Sequence, residues 1–396
     1  MTTQSIPGLP TQRPNPLDPP VEIGELRATG SMVRMTFPDG HLGWLATAHH
    51  AVRAVLASPA FSNRIELTHP VIPVKRLQAQ SIADFKVPPG MFNRMDDPEH
   101  SRIRRTLTGQ FTVRRMNLLE PRIEQIVREH LGAIVASGPP VDLVPTYTLP
   151  IPSLVICELL GVPYERRDQF QGDASTLLNL ESGADEAMAA WASMYSLLGD
   201  VIAAKRERPA DDLLSGLIAE GELTDEELCT IGLVLLIAGH ETTANMLALG
   251  TYTILRQPGR REAFLADPAT AVEELLRYLS IIHFGPVRTA LEDVEIDGHL
   301  VKAGEAVAMS VPGANRDPAK FTNPDDLDLT RHAQGHLAFG HGIHQCLGQQ
   351  LARVEMRIAF TALLSRLPTL KLAGDVRFRD KMSIYGLFNL PVTWDA

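Results

Sequence analysis

The sequence predicts a mainly α-helical fold with small β-sheets, and three observations carry that expectation. Between Thr224 and Gln257 a helical apolar pattern runs without a proline for about 33 residues, or about 50 Å at the α-helical rise, long enough to cross the molecule. Four more helical patterns precede it, from about Met116 to Ala136, Thr148 to Leu160, Arg167 to Asn179 and Asp185 to Arg208. Strand signals are short and paired about turn residues, at Pro38-Asp39-Gly40 and Asp297-Gly298.

With 396 residues, 44% of them hydrophobic, the chain can bury a large core, and no mid-chain linker, charge block or repeat divides it. The expected organisation is a flexible proline-rich arm over residues 1–20 and one catalytic domain over 21–396. A net charge of -10 disfavours nucleic acid or an anionic membrane as the main partner, because both are polyanions. Cys157, Cys229 and Cys346 are spaced too widely to suggest a disulfide framework, so a reducing cytoplasm is expected. The chain does not open with a signal-peptide layout, and no window reaches the ~18 uninterrupted apolar residues of a membrane anchor. A monomer is the default expectation.

In chain order, the hairpin pattern spans Met32 to Thr47 and a helix covers His49 to Ala57. The stretch from Phe61 to Arg94, punctuated by Pro70, Pro73, Pro88 and Pro89, has weak periodicity and the length of a functional lid. Within it Lys75, Arg76 and Lys86 read as solvated charges, with an anchor for a substrate carboxylate as the alternative. Asp97 is placed to cap, and Pro98 to begin, a helix carrying Arg102, Arg104 and Arg105. On charge alone that face is equally well a solvated basic surface. Gly161-Val162-Pro163 stops one helix, and Glu181 to Ala184 is a polar connection between two others.

The long helix opens on a capping box, Thr224 with Glu227. Its middle, Ala238-Gly239-His240-Glu241-Thr242-Thr243, places polar residues and a glycine in an apolar run, a local conflict of the kind found at functional sites. Thr242 is spaced to bond back towards Ala238, and small Ala238 and Gly239 would leave room for a diatomic ligand beside the bend. Thr242 shares a face with Leu235, Ala238 and Met246, while Glu241 is turned by about 100°. A packing kink is the plain alternative. Further on, Glu274 and Arg277 are spaced to pair on one helix face, by itself a weak signal.

From Phe339 to Arg353 the chain reads Phe-Gly-His-Gly-Ile-His-Gln-Cys-Leu-Gly-Gln-Gln-Leu-Ala-Arg: a glycine-rich turn presenting Cys346 at a helix start. Free amide hydrogens and the helix dipole there favour a thiolate, the form that binds metal. One cysteine is too few for a zinc or iron-sulfur cage, which leaves an axial thiolate on a haem iron. A buried structural cysteine beside a loop accounts for the pattern equally well.

Phe-Gly-x-Gly-x-His-x-Cys-x-Gly resembles the haem-binding signature of the cytochrome P450 family at every fixed position. The resemblance implies that fold, with haem b between the long central helix and the cysteine-loop helix and Cys346 as iron ligand. By the same resemblance Phe339, Gly340 and Gly348 frame the thiolate side, and Ala238 lies over the haem. His100, Arg104, Arg288 and His344 are implied propionate contacts. Thr242 and Glu241 match the oxygen-activation pair, and Glu274, Arg277 and Arg331 match a structural acid-arginine network. Leu235, Leu236, Ala238, Val287, Leu387 and Phe388 are the candidate substrate pocket.

What the family then implies is a monooxygenase inserting one oxygen atom of dioxygen into a bulky hydrophobic small molecule, such as a macrolide, steroid or terpenoid. The wording of Pro152 to Cys157 and Ala238 to Thr243 is most similar to actinobacterial members. With no flavin or iron-sulfur motif in the chain, electrons from NAD(P)H would arrive through a ferredoxin or flavodoxin and its reductase. Docking is expected on Arg102, Arg105, Arg114 and Arg353. The alternatives are a peroxide-driven haem-thiolate oxidase and a non-catalytic haem sensor.

Overall fold

The structure, a computed structural model, describes residues 5–77 and 86–395, so part of the expected lid stretch, 78–85, lies outside the described residues. The first helix, α1 (Val21–Thr29), feeds the hairpin β1 (Met32–Thr36) and β2 (Leu42–Ala46), turned by Pro38-Asp39-Gly40 as the sequence predicts. Then come α2 (His49–Ala57), β3 (Phe61–Ser62), α3 (Glu99–Thr108) and α4 (Val113–Leu118). The expected helix from Met116 to Ala136 is split: α4 ends and α5 (Glu120–Ser137) begins about Leu119, with Pro121 in its first turn, where a missing amide costs nothing.

After β4 (Val141–Asp142) follow α6 (Pro150–Leu160), α7 (Arg167–Leu178), α8 (Ala184–Glu207) and α9 (Leu213–Glu220). Gly161, with φ 69°, caps α6, the stop read from Gly-Val-Pro. The long helix is α10 (Asp225–Leu255), and its capping box forms, with Glu227 N on Thr224 Oγ1 and Thr224 N on Glu227 Oε2. It is buried along most of its length, packed against α6, α8 and α14. By length and composition α8 and α10 resemble membrane spans, but 72% of the apolar window of α10 lies inside the protein.

The remainder is α11 (Arg260–Ala266), α12 (Pro268–Leu279), β5 (Val287–Ala290), the hairpin β6 (Val294–Ile296) and β7 (His299–Val301), β8 (Ala306–Met309) and α13 (Val311–Ala314). The cysteine loop leads into α14 (Gln349–Arg366), then β9 (Lys371–Leu372) and β10 (Pro391–Thr393). Among the described residues the strands form three small sheets, the largest ordered β1-β2-β8-β5-β3.

Residues 5–20, expected as a flexible arm, are extended but docked. Ile6 exchanges backbone hydrogen bonds with Arg34 and Thr36, 2.9 and 3.0 Å, Leu17 is buried, and Asp18 pairs with Arg316 at 3.1 Å. Arg13 covers the Tyr385 ring at 4.5 Å. Proline makes the segment extended, and these distant anchors, absent from its own composition, fix its path.

Candidate active site

Cys346 sits between the 3-10 turn Gly342–His344 and α14, its amide donating to the Phe339 carbonyl at 2.9 Å. The sulfur is surrounded by protein, yet the residue keeps accessible surface, so it borders an interior space. Burial pushes its thiol up, while the Gly348 amide and the Arg104 and Arg353 guanidiniums pull the other way. A Cβ built on Gly340 or Gly348 would meet nothing within 4 Å, so both glycines border open space. Gly342 is packed against its neighbours. With φ 75°, its Cβ would fall 2.4 Å from the Leu56 carbonyl oxygen, so it seats the loop on α2 instead.

Between Glu227 and Thr251 of α10 the accessible surface is confined to Val234, Ile237, Ala238, Gly239 and Thr242. Accessible residues on a core helix mark an interior cavity along that face. Thr242 Oγ1 donates to the Ala238 carbonyl at 2.7 Å, the back-bond expected. Glu241 is buried, its Oε2 accepting from Asn245 Nδ2 at 3.1 Å and Arg379 Nη1 at 2.8 Å. His240, read as structural, packs against Phe170 with Nδ1 2.6 Å from the Leu236 carbonyl.

Three pocket expectations on this helix are corrected. Leu235 and Leu236 are 6% and 0% exposed and belong to the main apolar core. Leu236 is two residues, about 200°, from Ala238 and so faces away, and the neighbours that do open to the cavity are Val234 and Ile237. Gly239 does not leave room for a ligand: its Cβ would fall 2.6 Å from Ile156 Cδ1, so it lets α6 cross α10 closely. Elsewhere, Leu387 is 1% exposed in the core rather than in a pocket, while Phe388 is half exposed between Arg377 and Arg379, and Val287 is partly open.

His100, Arg104, Arg288 and His344, far apart in sequence, converge. The His100 and His344 rings lie 4.2 Å apart. Burial, then His100, Arg288 and Arg104, hold His344 down to about 3. Burial and then Arg94 lower Arg288 to about 10. The nearby acids are engaged elsewhere: Asp96 accepts from Ser62 Oγ at 2.5 Å and the Asn63 amide at 2.8 Å, and Asp97 from Ser101 at 2.5 and 3.1 Å. His100 is buried, and its nearest acceptor, Asp97 Oδ1, lies 3.6 Å from Nδ1, beyond a normal hydrogen bond, so the cluster is richer in donors than in acceptors. Sequence reasoning missed Arg94, whose position before Asp96-Asp97 carried no motif signal.

Glu274, Arg277 and Arg331 do meet. Arg277 grips Glu274 through Nε and Nη2 at 2.7 and 2.8 Å, and Arg331 Nε donates to the same carboxylate at 3.1 Å. Arg353 lies 4.6 Å over the Phe339 ring and binds Glu273 at 2.6 and 3.1 Å. It is therefore committed to an internal pair, as Arg102 is to Glu227, whereas Arg105 and Arg114 are exposed with no ion pair among the described residues. The expected docking surface thus reduces to the latter two.

The family model Cytochrome P450 matches residues 269–389. Cytochrome P450 105C1 of a Streptomyces species is 47% identical over 400 residues, covering 99% of this chain and 100% of its own. Vitamin D3 dihydroxylase of Streptomyces griseolus is 41% identical over 404 residues, covering 99% and 98%. The crystal structure of CYP105P1 in complex with filipin I superposes with a TM-score of 0.92 at 42% identity, covering 99% of each chain.

Proposed function

The chain belongs to the cytochrome P450 family of monooxygenases, and from that premise we propose that it hydroxylates a bulky hydrophobic secondary metabolite with electrons from a ferredoxin. The observation that carries the reading is the donor-rich cluster of His100, Arg104, Arg288 and His344 close to Cys346, in a fold whose relatives include a vitamin D3 dihydroxylase and a filipin complex.

The residues present fit a haem. Cys346 offers one sulfur to an interior space, the glycine backbone leaves that space open, and the orphaned His100 nitrogens with Arg104, Arg288 and His344 suit two propionate carboxylates. When bound, haem supplies dioxygen activation and one-electron chemistry. Cys346 would hold the iron as thiolate, with Phe339 and Arg353 stacked nearby. Ala238 and Thr242 would line the cavity beside it, where the Thr242 hydroxyl would hold a proton and Glu241 would pass one inward from solvent. Val234, Ile237 and Val287 would contact substrate and keep bulk water out. The Glu274, Arg277 and Arg331 network would hold the segment before the cysteine loop.

We further read residues 21–396 as one catalytic domain, since the main core runs from Leu17 to Trp394. A cytoplasmic monomer served by a ferredoxin or flavodoxin, its reductase and NAD(P)H completes the proposal. Purified protein should carry haem, and its reduced carbon monoxide adduct should show the red-shifted absorption of thiolate ligation. Reconstitution with ferredoxin, reductase and NADPH should then oxidise compounds that shift the haem from low to high spin. Absence of the red-shifted band, or its persistence in Cys346→Ala, overturns the reading.

A further inference from the structure

Backbone segments far apart in sequence are laced together beside α10. The Lys75 amide donates to the Leu180 carbonyl at 3.1 Å, Leu180 to Lys381 at 3.0 Å, and Ser383 to Leu178 at 3.0 Å. Tyr385 donates to Ile281 at 2.9 Å and His283 to Ser383 at 3.3 Å. The lid stretch, the end of α7 and the residues after α12 thus meet on one C-terminal hairpin. That hairpin closes on itself through Arg379 N to the Gly386 carbonyl and Phe388 N to the Arg377 carbonyl, 2.9 and 2.8 Å.

The base of the same hairpin presses on the polar centre of α10. A Cβ on Gly386 would fall 1.7 Å from Asn245 Oδ1, so the backbone there lies directly against the helix. Arg379, 8% exposed, sends Nη1 to Glu241 Oε2 at 2.8 Å and to Asn245 Oδ1 at 3.3 Å. Asn245 Nδ2 donates to Glu241 Oε2 as well, at 3.1 Å.

We propose that Arg379 is the positioning residue for the Glu241 carboxylate, and that the hairpin 379–386 ties the lid segment at Lys75 and the end of α7 to it. The inference rests on the monooxygenase reading, in which Glu241 passes protons towards Thr242. Both hydrogen bonds described fall on Oε2, so Oε1 is the oxygen left to take up and release the proton. A buried carboxylate without a cation takes up a proton instead of staying charged, and a fixed protonated acid no longer relays. Because the bonds at Leu178 and Leu180 end on the same hairpin, a displacement of Lys75 or of the end of α7 reaches Arg379 through a few backbone bonds.

The test begins with the parent protein carrying haem and showing the thiolate band; if it does not, the monooxygenase reading fails and this inference is not what has been refuted. In the loaded, resting protein, infrared difference spectra against Glu241→Gln should show Glu241 ionised at neutral pH. In Arg379→Gln the ionised band should give way to a protonated carboxyl band, and the share of NADPH lost to peroxide should rise several-fold. Arg379→Lys should restore both, which a merely structural role for the arginine would not predict.

Ser383→Pro removes one lacing amide without touching Glu241, and should also raise the peroxide share. A protonated Glu241 in the parent, or parent-like spectra and coupling in Arg379→Gln, overturns the positioning role. Parent-like coupling in Ser383→Pro overturns the tie to the lid. Should Arg379→Gln not fold, the parent spectrum and Ser383→Pro decide the two claims.

Discussion

The Glu274 carboxylate and the Arg277 guanidinium face each other through two parallel hydrogen bonds, 2.7 and 2.8 Å long, with neither side chain reaching solvent. Arg277 also donates to the Asn315 and Pro324 carbonyls, both at 2.8 Å, so it staples α12 to the connector before the cysteine loop. Removing Glu274 leaves the buried Arg277 charge uncompensated, and removing Arg277 leaves the buried carboxylate with Arg331 alone, at 3.1 Å. Glu274→Gln and Arg277→Leu should each lower stability by about 3 to 5 kcal/mol in urea titrations and reduce haem retention. A change below about 1 kcal/mol would show that the pair is not what holds this segment.

Thr242→Ala removes the hydroxyl and its bond to the Ala238 carbonyl while leaving the cavity lining apolar. Haem content and substrate-induced spin shift should be unchanged. Product formed per NADPH should fall, by up to about two orders of magnitude, with peroxide making up the difference. Unchanged coupling would remove Thr242 from the proton path.

Gly239 is where Ile156 of α6 meets α10. Gly239→Val should cost about 1 to 3 kcal/mol through overpacking, read from thermal or urea unfolding. Adding Ile156→Ala should recover part of that loss. Strict additivity of the two changes would mean that the contact does not govern the crossing.

Acid should destabilise the protein through His283. Burial, then Arg13, hold its ring down to about 3 against a contrary backbone contact from Met382, while the unfolded ring titrates near 6.5. The unfolded chain therefore binds the extra proton between those values. This contribution is complete above pH 6.5 and shrinks as pH falls towards 3, by about 1.4 kcal/mol per pH unit. His283→Phe should flatten the slope of stability between pH 6.5 and 5. Below pH 4.5 Glu273 adds its own loss: burial raises it, but hydrogen bonds from His336 and Arg353 prevail and hold it to about 2.

Arg105 and Arg114 are the exposed members of the expected docking set that have no ion pair among the described residues. Replacing both by Ala should slow reduction by an acidic ferredoxin several-fold at low salt, with the difference vanishing as salt rises. Stopped-flow reduction that ignores salt and both substitutions would place the docking surface elsewhere.

The sequence by itself determined most of the helices and the hairpin turns, and it singled out the loop around Cys346 as the candidate centre. The capping box at Thr224, the stop at Gly161 and the loop around Cys346 are local signals, written in residues a few positions apart. Arg331 was legible as the partner of Glu274 because the family resemblance fixed its place. Only tertiary structure decided which way each face turned and what filled it. Helical spacing gives the angle between Leu236 and Ala238 but not the side on which the core lies, so Val234 and Ile237, not the leucines, open to the cavity. Arg379 meets Glu241 across 138 residues, and the docked arm meets Arg316 across 298, pairings no local pattern encodes. A chain writes its propensities residue by residue, whereas a buried charge finds its partner only when distant segments have packed around it.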